Sequence, residues 1–237
     1  MRFLIALGVV VGLCVLFVIF RDVFRSGAQL DTSSTYITYV YRRVYAGFVR
    51  GTFLVLSMVL GLGGLQRERT YGSIAFTLAL PVSRRRLESI RAMTGLLEVT
   101  TLAWLPAVLV PGLSLLVGQR YPWTQSVEFA MLWTAVGSVV FAFAFLASSA
   151  LRNEYSSLTT SLLAFYIYPL VIVKTPFLHG WPLHIHYIMN GTGMPYFDAR
   201  AHLLTGSFPW TIIAWVTVVT LGFLTFAIRV TERTDFA

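Results

Sequence analysis

The two clear cases of an ionisable side chain inside a long apolar run of this sequence are Arg50 within Val44–Leu65 and Glu98 within Ala92–Gly118. A charge is costly in an apolar environment, so where one persists it marks a pathway, an ion pair or a proton relay. At ~1.5 Å of rise per residue, Arg50 lies about 22 Å and Glu98 about 9 Å from the helix ends that face the segment joining the two runs. That difference in depth keeps them from pairing directly. Arg50 is expected to snorkel outward along its aliphatic stem, and Glu98 to face the interior of a bundle or a hydrated vestibule. Both are candidates for a translocation path. All four histidines, His179, His184, His186 and His202, fall within residues 175–207. His184-x-His186 invites a metal, but zinc takes N, S or O ligands in tight geometry and no cysteine lies nearby. Interfacial histidines without a metal are the simpler reading. Ser73 follows Gly72 without a G-x-S-x-G frame, and neither H-E-x-x-H nor a pair of carboxylates occurs within one apolar run. A P-loop requires G-x-x-x-x-G-K-[ST]; the only lysine, Lys174, follows Val-Ile-Val at the end of an apolar run. The chain is therefore expected to carry no covalent chemistry and no cofactor, and to bind no ATP by that route.

The composition says where such residues must sit. Of 237 residues, 57% are hydrophobic and 12% charged, against about 25% charged in soluble domains. A soluble fold of this size cannot hide so much apolar surface, and lipid is the solvent that accepts it. The net charge of +8 is spread through short gaps between apolar runs, where membrane proteins place topogenic and headgroup contacts; no basic patch on a soluble fold points to nucleic acid. The single cysteine, Cys14, cannot form an intramolecular disulfide. Phe3–Phe20 exceeds the ~7–15 apolar residues of a signal peptide and no A-x-A-like site follows it, so it is expected to be retained as a helix or signal anchor.

A spanning helix needs about 20 predominantly apolar residues. Six stretches qualify: Phe3–Phe20, Val44–Leu65, Ala92–Gly118, Val127–Leu151, Ser156–Lys174 and Phe208–Val230. Backbone groups in lipid must bond within their own segment, and the runs are continuous rather than alternating, which excludes a β-barrel. The expected fold is an all-α integral membrane protein, a single transmembrane domain of six helices over residues 1–237. Arginines concentrate between spans two and three (Arg67, Arg69, Arg84, Arg85, Arg86, Arg91), which places that segment and both termini in the cytoplasm. Tyrosines and tryptophans (Tyr36, Tyr39, Tyr41, Tyr45, Tyr121, Trp123, Trp181, Tyr187, Tyr196, Trp210) crowd the opposite segments, as interfacial residues do. The outer segment 175–207 is expected to fold as short re-entrant or surface-lying pieces. Pro106, Pro111 and Pro169 fall inside spans and favour kinks.

The segment 66–91, QRERTYGSIAFTLALPVSRRRLESIR, leaves the membrane, turns at Pro81 and re-enters as a helix with Ser83 as its N-cap. Physics alone reads it as a topology-fixing loop. Its pattern of Glu68, then Gly72-Ser73, then an apolar run ending Leu80-Pro81-Val82-Ser83-Arg84 resembles the loop between helices two and three of ABC-2-type export permeases, as does the six-helix layout. The chain differs in starting two residues before its first span, without the family's amphipathic elbow helix, and in its longer segment between spans one and two. The resemblance implies that the loop docks on an ATPase, with Arg67, Glu68, Arg69, Gly72, Pro81, Ser83 and Arg84 as the coupling residues. Charge-assisted hydrogen bonds suit Arg67, Glu68 and Arg69 to that contact. It further implies two separate ATPase subunits that hold ATP and magnesium, a second permease copy or related subunit, and a bacterial inner membrane location. The substrate stays open. Two alternatives compete with export: a membrane scaffold or biogenesis subunit, and a membrane-embedded enzyme using Glu98 or the outer histidines.

Overall fold

The computed structural model of the chain describes residues 1–27, 35–62, 83–151, 153–174, 185–192 and 194–233. Most of them are helical. In chain order the elements are α1 (Arg2–Ile19), α2 (Arg21–Gly27), α3 (Tyr36–Val40) continued by a π-helical turn (Tyr41–Tyr45), α4 (Phe48–Gly61), α5 (Arg84–Leu116), α6 (Trp123–Ala150), α7 (Glu154–Lys174), α8 (Ile185–Asn190), β1 (Phe197–Asp198), β2 (Leu203–Leu204) and α9 (Trp210–Arg233). Five stretches among the described residues are long and apolar enough to cross a membrane: α1, the run from α3 through α4 (Tyr36–Gly61), α5, α6 and α9. The chain is thus an all-α integral membrane protein. The fifth run expected from the sequence coincides with α7, a helix of 21 residues.

One boundary needs correction. The second span, expected to start at Val44, takes a helical course from Tyr36, turns through the π-helical Tyr41–Tyr45 and breaks at Ala46-Gly47 before α4. The polar-looking Tyr-Arg-Arg-Val-Tyr stretch hid this in the sequence. Its tyrosines are buried within the bundle: Tyr39, Tyr41 and Tyr45 are each no more than 6% exposed. The break needs a glycine, because a Cβ on Gly47 would strike the carbonyl oxygen of Arg42 and lie 2.8 Å from that of Arg43.

The core is organised around α6, which packs against α4, α5, α7, α8 and α9. In the apolar window of α6, 72% of residues are buried, against 22% for α9, so α6 is the central post and α9 a peripheral helix. Glycines set the close approaches. Gly61 of α4 lies against the backbone of α6, and Gly137 of α6 receives the ring of Phe53. Small residues at such crossings let membrane helices pack by van der Waals contact where no hydrophobic drive operates between them. Around Tyr45 the aromatic rings stack: Phe129 at 4.4 Å, Tyr121 at 5.6 Å, and Trp133 edge-on at 5.9 Å. The Tyr45 hydroxyl donates to Ser126 Oγ at 3.0 Å.

The segment before α9 closes one end of the bundle. Gln125 on the first turn of α6 pairs with the backbone of Leu204 through two hydrogen bonds, its Nε2 donating to the carbonyl at 2.8 Å and its Oε1 accepting from the amide at 2.7 Å. Tyr41 donates to Asn190 O at 2.9 Å and lies 3.0 Å from Thr192 Oγ1, while its ring stacks on Phe197 at 5.0 Å. The β1–β2 turn is held by Asp198, whose carboxylate accepts from the amides of Arg200 and Ala201; those bonds hold it below the usual carboxylate range. His202 closes the turn at φ 55, a left-handed conformation that costs roughly 1–2 kcal/mol for an ordinary residue. His202→Val is therefore expected to raise amide hydrogen exchange across 197–204, and His202→Asn to leave it near wild type. Burial and the neighbouring Arg42 depress the His202 imidazole below its ordinary value. A depressed histidine binds fewer protons folded than unfolded, so the hairpin's protection is expected to fall as pH drops below about 6.5, and His202→Asn to abolish that dependence.

Candidate functional site

Of the coupling residues expected from the sequence, Arg67, Glu68, Arg69, Gly72 and Pro81 lie outside the described residues. The structure places the re-entry point. Ser83 caps α5, its hydroxyl accepting from the Arg86 amide at 3.3 Å, and Arg84 is the first residue of the helix. The helix runs unbroken for 33 residues through both Pro106 and Pro111, about 50 Å at 1.5 Å per residue, against a hydrocarbon core of about 30 Å. Its first turns carry the exposed Arg85 and Arg86. Glu88 follows, 1% exposed, with Arg91 3.6 Å away one turn on. On the same side, the Arg2 guanidinium donates to the carbonyls of Leu62 and Val59, the former the shorter bond. That places the start of α1 against the end of α4, where the 63–82 segment departs, and satisfies carbonyls that a helix C-terminus leaves open.

Glu98 stands further along α5, three turns beyond Glu88, and lines a cavity of about 240 Å³ shared by α4, α5 and α6. Arg91, Thr94 and Glu98 supply its polar wall; Leu60, Phe141 and Phe145 face them. Phe141 reaches this position because Gly95 has no side chain: a Cβ there would collide with the Phe141 ring. Phe141 and Phe145 are stacked with centroids 5.9 Å apart. No family model, curated protein or solved structure matches the chain. The site therefore has to be read from its own chemistry. It combines one carboxylate with an aromatic wall, and its guanidinium lies 3.6 Å from Glu88.

Arg50 is elsewhere. It lies on the first turn of α4, half-buried, its Nε enclosed without a hydrogen-bond partner among the described residues, and it forms no ion pair with Glu98. Sequence reasoning missed a third charged residue in the spans, Glu128 on the second turn of α6, whose Oε2 is also enclosed and without such a partner. It is the second residue of the run Val127–Leu151. Tyr121, beyond the end of α5, is enclosed nearby. Burial, joined by the neighbouring tyrosines and Glu128, pushes its hydroxyl well above the usual tyrosine value, so it stays a neutral donor. Glu88 was missed as well, although its i, i+3 spacing to Arg91 was a readable signal. A second cavity of about 370 Å³ lies between α5, α6 and α9. Its hydroxyls, Thr100, Thr134, Ser138, Thr217 and Thr220, each donate to a carbonyl of their own helix. Among the described residues no group of three or more His, Cys, Asp or Glu side chains is placed to hold a metal ion; His179 and His184 lie outside them.

Proposed function

We propose that the chain is the membrane-spanning permease subunit of an ATP-driven exporter of the ABC-2 type, with ATP and magnesium held by two separate ATPase subunits. α7 supplies the sixth span of this reading, and a second permease copy or related subunit completes the pathway. The observation that carries it is the length of α5. A 33-residue helix exceeds the hydrocarbon core by about 20 Å, and the excess lies on the side from which the 63–82 segment departs. It presents Arg85 and Arg86 to solvent. An overhanging, arginine-bearing helix continuous with a membrane span is a lever: force on its exposed end reaches the residues inside. Glu98 and its cavity sit on that same helix, so a tilt of the overhang changes the cavity's walls, a shift between alternate states. The arginines near this end, Arg2, Arg85, Arg86, Arg91, Arg229 and Arg233, support a cytoplasmic side by the positive-inside rule; the proposal accordingly takes both termini as cytoplasmic and, from the resemblance, the membrane as a bacterial inner membrane.

Glu68→Ala and Pro81→Ala provide the test. Each variant is expected to insert in the membrane at wild-type level and to lose most of the ATPase stimulation that the wild-type subunit gives its partner. Unchanged stimulation in both variants would overturn the coupling role of the segment.

A further inference from the structure

We propose that the α4–α5–α6 cavity is a binding site for a small organic cation, an alkyl- or quaternary ammonium, held by the Glu98 carboxylate and the rings of Phe141 and Phe145.

The charge balance of the walls points this way. Arg91 lies 3.6 Å from Glu88, which leaves the Glu98 carboxylate as the charge on the cavity wall without a direct ion-pair partner among the described residues. Glu98 forms no hydrogen bond or ion pair to another described residue, and the Met1 amino group acts on it only through space. Thr94 spends its hydroxyl proton on the Ile90 carbonyl at 2.9 Å, so it too offers the cavity only lone pairs. Opposite stand the stacked rings of Phe141 and Phe145, and a ring face attracts a cation within about 6 Å of its centroid. A carboxylate, an acceptor oxygen and two aromatic rings complement an ammonium, whereas an anion would be repelled by Glu98. A volume of about 240 Å³ falls below the 300–1,000 Å³ of drug-sized pockets and suits a head of few carbons. Gly95 holds the site open by giving the Phe141 ring room beside α5.

The proposal stands on the cavity and needs no ATPase, so the two readings fail separately. The experiment is equilibrium binding of radiolabelled tetraethylammonium to the purified full-length chain in lipid nanodiscs. Saturable binding is expected, displaced by other alkylammonium ions. Glu98→Gln should weaken it about tenfold or more, as loss of a charge-assisted contact implies. Glu98→Asp should retain most of it, which separates loss of charge from loss of fold. Phe141→Leu should weaken binding roughly three- to tenfold, matching a cation–π contribution. Absence of saturable binding to wild type, or equal binding by wild type and Glu98→Gln, overturns the proposal. So does binding of an anionic probe that is lost in Arg91→Gln.

Discussion

Gly61→Val is expected to lower the stability of the bundle by about 3 kcal/mol, at the upper end of the ordinary cost of overpacking. The reason is what the new side chain would meet. A Cβ at Gly61 would lie 2.6 Å from the Phe141 carbonyl oxygen, 2.8 Å from Ala144 Cβ and 3.0 Å from the Phe145 amide nitrogen. Two of these are backbone atoms of α6, which has its own partners on every side and cannot retreat without disturbing them. The helices α4 and α6 must separate, and the stack of Phe53 on Trp133, 5.1 Å between centroids, opens with them. The control is on the same helix. Gly51 is exposed and a Cβ there meets nothing within 4 Å, so Gly51→Val should stay within about 0.5 kcal/mol of wild type, as surface substitutions do. Thermal unfolding of both variants in nanodiscs measures the difference.

The second large effect concerns Gln125. Its amide satisfies both the N–H and the C=O of Leu204 in a buried setting. Gln125→Leu leaves both backbone groups without partners, at about 1–3 kcal/mol for each, and is expected to release the hairpin from α6. Amide exchange at 197–204 should then rise by orders of magnitude while α6 stays protected. Gln125→Glu has a pH signature. A carboxylate accepts from the Leu204 amide but repels the Leu204 carbonyl, whereas the protonated acid bonds to both. The folded state therefore raises this carboxyl above its reference value of about 4.3. Stability from such a group is fully present below the reference value and is lost as pH rises through the folded value. The hairpin of Gln125→Glu should be better protected at pH 4 than at pH 7, the reverse of the trend that His202 imposes on wild type.

These two sites also mark how far the sequence could be read. Spans one, three, four and six follow from runs such as Phe3–Phe20, where hydropathy alone decides, and Ser83 announced its N-cap by type and position. The start of the second span did not follow, because Tyr41-Arg42-Arg43-Val44-Tyr45 is polar by composition yet buried through a π-turn and a glycine break. Gln125 meets Leu204 across 79 positions, and a side chain that imitates a strand partner leaves no periodic signal. Glu98 was visible as a charge in an apolar run. Its cavity was not, because nothing in the sequence marks Phe141 and Phe145 as its neighbours; the close approaches at Gly95 and Gly61 bring the three helices together.

The central claim is that this chain moves a substrate with energy supplied by another polypeptide. Gentle extraction of the chain from its native membrane, followed by identification of the proteins that remain bound, tests that claim most directly. The account predicts a soluble subunit carrying a Walker A sequence, in equal number to the permease subunits and retained through purification. Repeated isolation of the chain in an assembled state with no nucleotide-binding partner would contradict it.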